Sequence, residues 1–94
     1  APPVITAEGI RQNPRAALGG LCAALGIPFT GAMLTWPLGP KPQDGVWAPH
    51  WYNAVHQSTG FEDAEGPLPT LSARDQDLAD QAQPAYAQLL CHAI

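Results

Sequence analysis

Charged side chains are scarce in this chain of 94 residues: Asp, Glu, Lys and Arg make up 13%, about half the share typical of soluble domains. Only Arg11, Arg15, Lys41 and Arg74 are basic, and the formal net charge is −4. Nucleic-acid binders draw most of their non-specific affinity from a basic face that displaces counterions from phosphates. No such face can be assembled here, which places nucleic acid last among the candidate partners. Long hydrophobic runs are also missing. No stretch of about 18 apolar residues occurs, so no membrane span is expected. The basic start and continuous apolar core of a signal peptide are lacking too, and the chain reads as cytoplasmic. Cysteine is limited to Cys22 and Cys91, each at an apolar helical spacing where a reduced thiol behaves as a small hydrophobe. Neither a disulfide nor a metal site is expected of them. Finally, there is no Gly-x-x-x-x-Gly-Lys-Ser/Thr loop, no Gly-x-Ser-x-Gly elbow and no Cys-x-x-Cys pair. No residue is therefore singled out as catalytic.

What is abundant is backbone punctuation, 9 Gly and 11 Pro. A domain of this size buries only about 60–65% of the surface its unfolded chain exposes, so the turns must do much of the shaping. Val4-Ile5 favours an extended start, a short strand with no evident partner. Asn13-Pro14 starts a helix, because Asn caps orphan amides and Pro suits the first helical position. That helix carries Leu18, Leu21, Cys22 and Leu25 on one stripe and stops at Gly26. The pair Gly19-Gly20 inside it suggests a close approach by another element. Thr30 can cap one turn bearing Met33 and Leu34. From Trp36 to Pro42 the prolines exclude helix and predict a rigid connector, which leads to a turn at Asp44-Gly45 and a helix from Pro49 to about Gln57. The acidic stretch from Glu62 to Thr70 reads as a loop. Ser72, with Asp75 three residues on, caps a last helix whose apolar face is Leu78, Ala82, Tyr86, Leu89, Leu90 and Ala93. Pro84 is expected to kink or divide that helix near Ala79 and Asp80. The fold class is mainly α: one small domain over residues 1–94, with two to three longer helices, Pro/Gly-rich structured loops and a single orphan strand near the N-terminus.

The segment from Asp44 to Phe61 concentrates two of the three Trp and two of the three His. Trp36, Trp47, Trp51, Tyr52 and Phe61 could stack on a ligand, but the commoner role of such a cluster is the core of a small helical domain. His50 and His56 lie six apart, the wrong spacing for two metal ligands on one helical face. Ser58-Thr59-Gly60 fits either an anion-holding nest or, preferably, a helix C-cap with Gly60 left-handed. The candidate ligand-binding residues are Trp47, His50, Trp51, Tyr52, His56, Ser58 and Thr59.

Two runs carry a family resemblance. Ile10 to Leu34, with Asn13-Pro14, Leu18, Leu21-Cys22, Leu25-Gly26-Ile27-Pro28-Phe29 and Met33-Leu34, resembles the C-terminal helix-loop segment of bacterial sulfotransferase-like proteins. The following Trp36-Pro37, Gly39-Pro40, Asp44-Gly45-Val46-Trp47-Ala48, His50-Trp51-Tyr52, Val55 and Ser58-Thr59-Gly60-Phe61 is similar to a signature of one branch. The likeness runs from about Val4 to the end and is most specific between Leu21 and Phe61. It implies an enzyme that takes a sulfuryl group from 3′-phosphoadenosine-5′-phosphosulfate (PAPS) with a phosphate loop at the start of an α/β domain. This chain would be the last third of such an enzyme, non-catalytic in isolation and binding no cofactor alone. Its partner would be an N-terminal α/β domain or a second copy, and Val4-Ile5 would join the sheet of the larger enzyme. The wider family holds the cofactor's 3′-phosphate with Arg-Lys-Gly followed by Gly-Asp-Trp. Here Lys41 precedes Asp44-Gly45-Val46-Trp47 without an Arg, so that role is not carried over. The alternative is a small ligand- or protein-binding domain that uses residues 44–61.

Overall fold

Capping side chains mark out most of the helices. The computed structural model describes residues 1–62 and 66–94, so Asp63, Ala64 and Glu65 of the acidic loop lie outside the described residues. Helix α1 (Ala7–Gln12) begins where Thr6 Oγ1 accepts the Gly9 amide at 2.9 Å. The extended start expected from Val4-Ile5 thus gives way to a helix at Ala7 that was not expected. Asn13 ends α1 and starts the next element: its own amide donates to the Gly9 carbonyl, and its Oδ1 accepts the Ala16 amide at 3.2 Å. Helix α2 (Pro14–Leu25) then runs to Gly26, which is left-handed at φ 70°. Both ends fall where the Asn-Pro and Gly signals put them. Cys22 is buried on this helix, with its Sγ 3.9 Å from Met33 Sδ on the 3-10 turn Gly31–Leu34. Both cysteines are free thiols.

Two expectations are corrected. The helix expected over Pro49–Gln57 is two single turns, α3 (Ala48–Trp51) and α4 (Asn53–His56), broken at Tyr52 with φ −105° and ψ 16°. Tertiary hydrogen bonds on His56, described below, fix the direction of α4 and override continuation of α3. Of the kink or division expected at Pro84, the division does not occur: α5 runs unbroken from Ala73 to Leu90. Proline removes one donor from the ladder, but α5 is exposed along its length. Water can therefore satisfy the carbonyl left without a partner. Its start is as expected, with the Asp75 amide on Ser72 Oγ at 3.2 Å.

The architecture is mainly helical, with no sheet among the described residues. The expected strand at Val4-Ile5 is reduced to one parallel bridge from Val4 to Ala93, with the Ile94 amide on the Val4 carbonyl at 2.9 Å. Of the two adjacent glycines in α2, Gly20 answers the expectation of close approach: a Cβ there would lie 2.9 Å from Ile94 Cγ2, whereas one on Gly19 would meet nothing within 4 Å.

Very little of this chain is buried. Cys22 and Ala48, at 5% and 6% exposed, form the buried hydrophobic core among the described residues. The accessible surface is 7530 Å², against about 5,200 Å² expected for a folded monomer of this mass. The radius of gyration, 16.3 Å, likewise exceeds the roughly 12 Å of a compact domain this long. Leu78, Tyr86 and Leu89 line an exposed apolar stripe on α5. No helix among the described residues is long and apolar enough to cross a membrane.

The interior and the C-cap of α2 respond differently to alanine. Gly19→Ala is expected to stabilise the chain by about 0.5–1 kcal/mol, because the helix interior gains propensity with no clash. Gly26→Ala is expected to cost about 1–2 kcal/mol through left-handed strain. Urea unfolding followed by circular dichroism at 222 nm checks both signs.

Candidate functional site

Residues 35–61 form a loop closed by hydrogen bonds rather than by a core. At its base Thr35 and Gly60 make an antiparallel bridge, and the Trp36 amide donates to the Thr59 carbonyl at 3.0 Å. The Trp36 indole donates to Ser58 Oγ at 3.0 Å, and Ser58 Oγ donates to the Val55 carbonyl at 2.8 Å. Phe61 packs edge-on to Trp36, with ring centroids 5.2 Å apart. Gly60 is not among the glycines with positive φ, so the expected left-handed cap is corrected. The fit at Gly60 is close for another reason, since a Cβ would sit 3.3 Å from the Leu34 carbonyl oxygen.

Further along, the Gly39 amide donates to the His56 carbonyl at 2.9 Å. Asp44 is the centre of this part. Its Oδ2 accepts the Lys41 amide at 2.7 Å and faces His56 Nε2 at 2.8 Å, while its own amide donates to the Lys41 carbonyl at 3.1 Å. The Lys41 ammonium turns back onto the Gly39 carbonyl. The side chains of His56 and Asp44 are only 17% and 21% exposed. The hydrogen bond from the Lys41 amide acts most strongly on the Asp44 carboxyl. Together with the His56 ring and the Lys41 ammonium it holds that carboxyl below its ordinary value, against an opposing push from desolvation. Beside this pair opens a cleft of about 530 Å³, walled by Pro40, Pro42, Val46, Ala48 and Pro49, with Lys41, Asp44 and His56 as its ionisable lining.

A second recess, about 360 Å³, is formed by Trp47, Trp51 and Tyr52. Trp47 and Trp51 are 66% and 74% exposed, which corrects the expectation that the aromatic cluster is core. Trp36 and Phe61 pack on each other instead, at the base of the loop. The seven candidate residues therefore separate. His56 and Ser58 belong to the closure of the loop, Thr59 joins it through its carbonyl, and Trp47, Trp51 and Tyr52 share the shallow groove. His50 is exposed on α3 and lines neither recess. Tyr52 and His56 meet edge-on at 6.1 Å. Asp44 and Lys41 were missed as site residues. Their only signal was the Lys-Pro-x-Asp-Gly turn, which places a carboxylate within reach of the Lys41 amide but does not disclose His56. Among the described residues no group of three His, Cys, Asp or Glu is placed to hold a metal ion.

With this geometry in hand, the chain can be set beside known proteins. It belongs to the family of sulfotransferase domains, whose family model matches residues 3–93. It is 43% identical over 91 residues to branched-chain-amino-acid aminotransferase-like protein 2 of Arabidopsis thaliana, and 44% identical over 91 residues to protein 1 of that name. Each alignment covers 97% of this chain and 16% of the relative, so the chain spans about a sixth of their length. No solved structure matches significantly.

The lowered Asp44 value fixes the sign of a pH effect. A carboxyl depressed on folding contributes stability above its unfolded value and loses it as pH falls through the lower folded value. Below about pH 4, the Lys41 amide proton is therefore expected to leave its hydrogen-bonded NMR position. The midpoint should lie below that of an ordinary aspartate. Asp44→Asn should abolish the titration.

Proposed function

We propose that this chain serves as the C-terminal part of a sulfotransferase, presenting the hydrogen-bonded loop 35–61 toward substrates and transferring no sulfuryl group by itself. The observation that carries the reading is the coexistence of a pre-shaped, substrate-sized cleft with a chain that leaves Trp47, Trp51, Leu78, Tyr86 and Leu89 exposed and has no phosphate-binding loop. A transferase needs a held donor as well as a shaped acceptor site, and the first of these has no residues here to build it. The exposed faces of α3 and α5 suit packing against an α/β partner that would supply the donor site. The excess of about 2,300 Å² over a compact monomer is what a substantial protein interface buries. PAPS enters this reading only as the donor of the assembled enzyme.

A second reading, a binding module acting through Trp47, Trp51 and Tyr52, is favoured by the exposure of that aromatic groove. Aromatic residues are enriched at interface cores, and a patch that covers itself would give a dimer in light scattering. A monomer whose Trp47 and Trp51 remain accessible to quencher retires self-association.

Titration with 3′-phosphoadenosine-5′-phosphate, the desulfated donor, tests the main reading. The chain alone is expected to leave tryptophan emission flat, with no sulfuryl transfer above the uncatalysed rate. A saturable response in low salt removes the assignment of the donor site to a partner, and measurable turnover removes the non-catalytic reading.

A further inference from the structure

The geometry points to the recess formed by Trp47, Trp51 and Tyr52 as a binding site for a quaternary ammonium group held on aromatic faces. This inference rests on the second reading above, a binding module acting through these rings, and names the ligand class for it. No residue of the recess lines the cleft beside Asp44 and His56.

The backbone brings the rings together. Trp47 precedes α3 and Trp51 ends it, and the Trp51 amide donates to the Trp47 carbonyl at 3.1 Å. Residues one turn apart share a side of a helix, which sets the two indoles beside each other. Tyr52 follows at the break between α3 and α4. It meets the His56 ring edge-on, with centroids 6.1 Å apart, and His56 in turn faces Asp44. The third wall is therefore braced by the polar pair that shapes the loop, while Trp47 and Trp51 stay 66% and 74% exposed.

Two features of the lining choose the ligand. The first is charge. The faces of indole and phenol rings attract a cation, and the chain has a formal charge of −4 with no Lys or Arg among the recess residues. The same charge disfavours anions, the phosphates of a nucleotide included. The second is the hydrogen-bonding inventory, since the only polar side-chain atoms here are two indole N–H donors and the Tyr52 hydroxyl. A primary ammonium has three N–H groups that need acceptors once it leaves water. A quaternary ammonium has none, and its methyl groups pack on the rings while its charge meets their faces. At about 360 Å³ the recess lies at the small end of ligand pockets, about 300–1,000 Å³, which suits a compact head group over an extended ligand.

Choline and its neutral isostere 3,3-dimethylbutan-1-ol share a shape and a hydroxyl and differ in charge. Each is titrated, beside ethanolamine, into the ¹⁵N-labelled 94-residue chain at about pH 8, above the ordinary imidazole range. Choline is expected to shift the indole N–H resonances of Trp47 and Trp51 and the Tyr52 amide. It should bind about fivefold more tightly than the isostere, and ethanolamine should bind more weakly than choline. Replacing both indoles, Trp47→Leu with Trp51→Leu, keeps apolar walls and removes two ring faces. Read at the Tyr52 amide, it should erase the preference for choline, with the amide resonances of α2 unmoved as the sign of an intact fold. A preference that survives this double substitution, tighter binding of ethanolamine, or choline shifts confined to Val46, Ala48 and His56 would each overturn the assignment. Saturable binding of the isostere on a par with choline retires the ammonium alone and leaves the aromatic binding module standing. No saturable shift from any of the three ligands overturns the assignment as well, and indoles closed to acrylamide quencher in the same sample retire the module with it.

Discussion

One carboxylate oxygen organises the loop formed by residues 35–61. Asp44 Oδ2 receives the Lys41 amide from its own turn and faces the His56 ring from a helical turn 12 residues away. Around that point the Gly39 amide reaches the His56 carbonyl, and the Trp36 indole and Thr35–Gly60 bridge close the base. Hydrogen bonds to a charged group are about twice as strong as neutral ones. That matters here because the usual alternative, a buried apolar core under the loop, is almost absent. The loop owes its shape to polar contacts that are directional, and direction is what a binding cleft requires.

The rest of the chain shows the opposite economy of contacts. Helix α5 stands exposed with Leu78, Tyr86 and Leu89 uncovered, and Val46, Trp47 and Trp51 are more exposed still. Exposed apolar surface of this extent marks interaction sites in stable proteins. The family match covers residues 3–93, and the chain spans about a sixth of the length of the relatives it matches.

What the sequence made legible was local chemistry. Asn13-Pro14, Gly26 and Ser72 located the ends of α2 and the start of α5 because a cap acts on amides within a turn of itself. Thr6 caps by the same rule, yet α1 escaped notice because Pro2-Pro3 and Val4-Ile5 dominate the reading of the first residues and Gly9 offers no reciprocal side chain. Pro84 does not divide α5, since the cost of an interior proline depends on whether solvent can reach the freed carbonyl. The break at Tyr52 was not legible at all. It is imposed by contacts of His56 with Gly39 and Asp44, which are distant in the chain. The candidate site divided along the same line. His56 and Ser58 could be named from residue type, but their partners Asp44 and Trp36 could not, and the aromatic cluster gave no sign of which members pack and which face solvent.

Amide hydrogen exchange at Gly39 and Lys41 tests the role of Asp44 most directly. If Asp44 holds the loop, both amides are protected in the native chain, and both lose that protection together in Asp44→Ala, which removes the acceptor, while the amides of α2 keep theirs. Protection that survives the substitution, or amides that exchange freely in the native chain, would contradict the account.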